Sequence, residues 1–75
     1  MPAFEVYIDD DRYKVPSFYL VEARDEAAAW RLAGDLWRNS GHHRGVELRR
    51  DGVRLRGDGS MSSEDGDGEA DAAAS

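Results

Sequence analysis

A chain of 75 residues with 16 acidic and 10 basic side chains makes at most one small domain, with a formal charge of −6. It contains no cysteine, which excludes disulfides, thiolate metal sites and a cysteine nucleophile. No apolar run reaches the roughly 18–20 residues of a membrane helix. The first residues, Met1-Pro2-Ala3-Phe4-Glu5, lack the basic-then-apolar pattern of a signal, so a cytoplasmic protein without a membrane partner is expected.

Residues 4–8 alternate apolar and mixed side chains, the period of a half-buried strand. A polar connection follows at 9–14. Its three aspartates read as a solvated turn, because adjacent carboxylates converge poorly on one cation. Residues 15–23 are rich in β-branched and aromatic side chains and predict a second strand. Pro16 places that strand at a sheet edge or marks its start, since proline cannot donate to a ladder.

Asp25 is a good helix N-cap, and Glu26 suits the positive end of a helix dipole. The helix is predicted over 26–39. Ala29, Trp30, Ala33, Leu36 and Trp37 share its apolar face, and Gly41 is placed to end it in the left-handed conformation. His42 and His43 in the following loop read as solvated rather than metal-binding.

Residues 46–50 and 53–56 flank Asp51-Gly52, a strong signal for a two-residue hairpin turn. That turn pairs Arg50 with Val53, Arg49 with Arg54, Leu48 with Leu55, and Glu47 with Arg56. Val46, Leu48, Val53 and Leu55 then share one face, and Glu47, Arg49, Arg54 and Arg56 share the other.

The fold class is α+β, with element order ββαββ. One helix packs on one face of a four-stranded, mostly antiparallel sheet, in strand order 2-1-3-4 or 2-1-4-3. Residues 1–57 carry ten acids and all ten bases, so the folding unit is neutral. Residues 58–75 carry six acids, no base, and Met61 as their one large apolar side chain. They are expected to be a disordered acidic tail. Asp65, Asp67, Glu69 and Asp71 have the spacing of a calcium loop, but Ala70 stands where that loop needs glycine.

One helix leaves the other sheet face open. Tyr19, Val21 and Ala23 are assigned to the core. Tyr7, Phe18 and Leu20 then lie on the open face beside Arg49, Arg54 and Arg56. Aromatic groups with arginine are what protein interfaces favour, so a protein partner or a second copy of the chain is expected there. The alternative is weak binding of single-stranded nucleic acid, with bases stacked on the aromatic rings and phosphates held by the arginines. Ser17 and Ser40 have no histidine at a constrained distance, and no phosphate or dinucleotide loop occurs, so no enzyme and no cofactor are expected.

Overall fold

The computed structural model describes residues 1–62. Its strands are β1 (Ala3–Asp10), β2 (Ser17–Glu22), β3 (His43–Arg50) and β4 (Val53–Gly59), with the helix α1 (Glu26–Arg38) between β2 and β3. The sheet order is β2-β1-β3-β4, and each neighbouring pair is antiparallel. Of the two expected orders this is 2-1-3-4.

The period-2 pattern of β1 turns Phe4, Val6, Ile8 and Asp10 to one face, where all four are buried. Val46 and Leu48 of β3 join them beneath Ala29 and Ala33 of α1. Trp30, Leu36 and Trp37 close the sides of this core, as the helical spacing predicts. The helix begins where Asp25 accepts a hydrogen bond from the Ala28 N–H at 2.8 Å. It does not end through Gly41. Asn39 caps it in right-handed geometry, its N–H donating to the Leu36 carbonyl. The last turn simply tightens, and no left-handed residue is needed.

The tight hairpin forms as expected. Asp51 and Gly52 both have positive φ, and Arg50 pairs with Val53 and Arg49 with Arg54. Beyond Arg54 the predicted register fails. Leu48 pairs with Arg56 and Glu47 with Gly57, so Leu55 is an extra residue in a β-bulge. One inserted residue moves every following side chain to the other face. Arg56 therefore lies on the helix side, its guanidinium over the Trp30 ring and bonded to Glu26 at 2.7 Å.

A second bulge acts the same way at the other end of β3. Asp9 pairs with Gly45 but Asp10 pairs with His43, which leaves Arg44 as the extra residue. His43 is thereby turned to the helix side, against the expectation of a solvated loop. Its ring Nδ1 donates to the Leu36 and Trp37 carbonyls at 2.9 and 3.1 Å. Asp10 is likewise no loop residue. It is buried, and its carboxylate accepts two side-chain bonds and one backbone bond from Arg12.

The folded part also extends beyond residue 57. Asp58 and Gly59 complete β4, and the chain then turns back through Ser60 and Met61. Ser60 donates to the Arg44 carbonyl through its N–H and to Asp9 through its hydroxyl. The expected acidic tail from 63 onward, including the carboxylates at 64–71, lies outside the described residues. No helix among the described residues is long and apolar enough to cross a membrane.

Candidate functional site

The face of the sheet away from α1 divides into two halves. On the β1–β2 half, Tyr7 lies opposite Phe18, with ring centroids 5.2 Å apart and planes tilted by 54°. Leu20 stands next along β2, opposite Glu5. Phe18 is 54% exposed and Leu20 65% exposed. The three side chains form one apolar strip, and its aromatic pair has the tilted geometry that ring quadrupoles favour.

On the β3–β4 half the arginines are already engaged. Arg54 donates to Glu47 at 2.8 Å and to the Met61 carbonyl at 2.7 Å. Arg49 donates to the Gly52 carbonyl at 2.6 Å and lies 3.5 Å from the other oxygen of Glu47. Glu47 thus clamps both guanidiniums between its two oxygens. The turn at Met61 rests beside them, and Gly57 leaves the room for it: a Cβ there would strike Arg54 and the Met61 carbonyl.

Of the six residues expected to form the site, five share this face: Tyr7, Phe18, Leu20, Arg49 and Arg54. Arg56 does not, for the bulge at Leu55 carries it to the helix side. Glu47 was legible in the same alternation, but its role as the clamp is not. That role depends on side-chain reach across β4.

Tyr19 also departs from expectation. It faces the helix layer, yet α1 lies chiefly over β3, and Tyr19 is left 37% exposed. Ala23 is buried and Val21 half-buried, as expected. The second strand is thus exposed on both faces at Phe18, Tyr19 and Leu20.

His42 pairs with Asp11 at 3.0 Å on the surface. His43 is held by the helix carbonyls, with Asp10 3.5 Å from its Nε2. The Arg12 side chain, bonded to Asp10, holds that carboxyl well below the usual carboxylate range. Among the described residues, no three histidine or acidic side chains are grouped to hold a metal. A concavity of about 650 Å³ runs along α1 between Met1 and Asp58. Its walls mix apolar side chains, among them Ala28, Trp30, Leu32 and Trp37, with charged ones such as Asp35 and Arg38, which are bonded to each other at 2.8 Å.

Comparison with family models, with curated proteins and with solved structures gave no match in any of the three.

Proposed function

We propose that this chain is a non-catalytic protein-interaction module that docks through Tyr7, Phe18 and Leu20. The observation that supports it is the apolar strip itself: two large side chains more than half exposed, in line, on a sheet face that no helix among the described residues covers. Contiguous exposed apolar groups of this kind mark binding surfaces more often than chance decoration. Arg49 and Arg54 form the polar rim of the contact.

Binding of nucleic acid on the same face has weaker support. Phosphate recognition draws on uncommitted cationic charge. Here Glu47 neutralises part of the Arg49 and Arg54 charge, and Arg56 is on the other side of the sheet.

The test is a photo-crosslinking amino acid, p-benzoylphenylalanine, placed at position 18 in cells that make the protein. A control at Leu32, exposed on the helix, samples non-specific encounters. Discrete protein adducts from position 18 and none from position 32 are expected. Adducts to nucleic acid, or equal labelling from both positions, overturn the reading.

A further inference from the structure

The two edges of the sheet are built differently. At β4 the edge is interrupted by the bulge at Leu55, carries Arg54 and Arg56, and ends where Gly59 turns the chain back. Bulges and cationic side chains are the common devices that stop one sheet edge from joining another. At β2 the sequence Ser17-Phe18-Tyr19-Leu20-Val21 contains no charge, no bulge and no glycine.

The direction of the β2 backbone groups follows from one hydrogen bond. The Ala23 N–H donates to the Pro2 carbonyl at 3.1 Å, in line with the β1–β2 register. Ala23 therefore points its backbone toward β1, and so do Val21, Tyr19 and Ser17, because the pattern alternates along an antiparallel pair. Phe18, Leu20 and Glu22 point their N–H and C=O groups away from the sheet. These groups have no backbone partner among the described residues. Pro16, which lacks an N–H, closes the run at its outward position.

From this edge we infer that the partner is a second copy of the chain, joined antiparallel through β2 about a two-fold axis at Tyr19. The inference rests on the interaction reading above and names its partner. In this register Phe18 exchanges both backbone hydrogen bonds with the partner's Leu20, and Leu20 with the partner's Phe18. Tyr19 faces the partner's Tyr19 on the helix side. The Tyr7–Phe18 strip continues into the partner's Leu20 on the open side, so the two strips become one surface.

The charge pattern of β2 permits this axis. A charged residue at the axis would meet its own copy, and β2 is uncharged there. Glu22 of each copy lies roughly 20 Å from its equivalent, well past the Debye length of about 8–10 Å. An axis at Leu20 would bring the two to roughly 13 Å and set Glu22 against the partner's Phe18.

The exposed area of Phe18, Tyr19 and Leu20 is on the order of 300 Å² per copy, against about 800 Å² for a standard interface. The pairing is therefore weak and reversible, and a covalent trap is the suitable measurement. The chain has no cysteine, so each variant carries a single thiol. Opposed residues in a non-hydrogen-bonded pair have Cα atoms about 4.5 Å apart, within the disulfide range.

Tyr19→Cys should form a disulfide-linked dimer in an oxidising glutathione buffer at least about tenfold faster than Val53→Cys, a control exposed at the β3–β4 turn. Tyr19→Lys should abolish concentration-dependent association while leaving the melting curve in place. Equal rates of disulfide formation at positions 19 and 53 overturn the edge pairing. So does association that survives Tyr19→Lys but is lost in Phe18→Ser. That second outcome leaves the interaction surface standing and shows the copies packed face to face.

Discussion

At the residue scale the most telling group is Asp10. A carboxylate at the end of an alternating strand falls on the buried face by period alone, and the chain supplies Arg12 two residues later to receive it. The folded carboxyl is held below its ordinary value by Arg12, whereas the unfolded one titrates near 3.9. Between those values the unfolded chain binds a proton that the folded chain does not. The contribution is therefore fully present above about pH 4 and is lost as pH falls toward the folded value. Thermal melts from neutral pH to pH 2 should show Asp10→Asn less stable at neutral pH, with the gap to the parent closing in acid. A gap of constant size would show that Asp10 is not the titrating group. Phe18→Ser belongs to the same scale with the opposite expectation. Its side chain is more than half exposed, so stability should fall by no more than about 1.5 kcal/mol, the worth of its contact with the Tyr7 ring, in denaturant titrations.

At the element scale, local chemistry and long-range register separate. The Asp25 cap is a local signal, and Asp25→Ala should cost about 1 kcal/mol by urea unfolding. The Asp51-Gly52 turn was equally legible, because positive φ at two residues restricts the choice of side chains. The bulges were not. Nothing in Leu55 or Arg44 announces an extra residue; each is set by how β3 meets its neighbours. Those two insertions account for the misplaced arginine and for the histidine that proved to be held beneath the helix end. The end of β4 was missed for a related reason. Asp58, Gly59 and Ser60 read as the start of a tail by composition, yet Gly59 takes a left-handed φ of 63° and packs against the Arg44 carbonyl and Trp37. Gly59→Ala strains that backbone and places a methyl group in contact, so a loss of more than about 1 kcal/mol is expected. Thermal unfolding of the variant checks it.

At the scale of the whole molecule, one helix and four strands leave little margin. The core is a single layer of Phe4, Val6, Ile8, Val46 and Leu48 under two alanines. A core of this size supplies no more than about 3–5 kcal/mol. Leu48→Ala, which costs about 2–5 kcal/mol at such a site, should leave much of the population unfolded at 25 °C by circular dichroism. The same economy explains the exposed strand. A helix of thirteen residues laid chiefly along β3 covers β2 only in part, so Tyr19 stays accessible on the helix side while Phe18 and Leu20 stand on the open face. The alternation of side chains foretold the open-face half of that exposure. The rest depended on where the helix lies, which only packing decides. Association through β2 would shelter the strand that the helix leaves bare.

We propose β2 and the strip beside it as the contact surface. A dilution series of the full chain, followed by amide chemical shifts from high to low micromolar concentration, tests it most directly. Concentration-dependent shifts are expected at Phe18, Leu20 and Glu22, whose N–H groups point outward, with smaller ones at Tyr7. Shifts confined to α1 or the β3–β4 hairpin, with β2 unchanged, would contradict it.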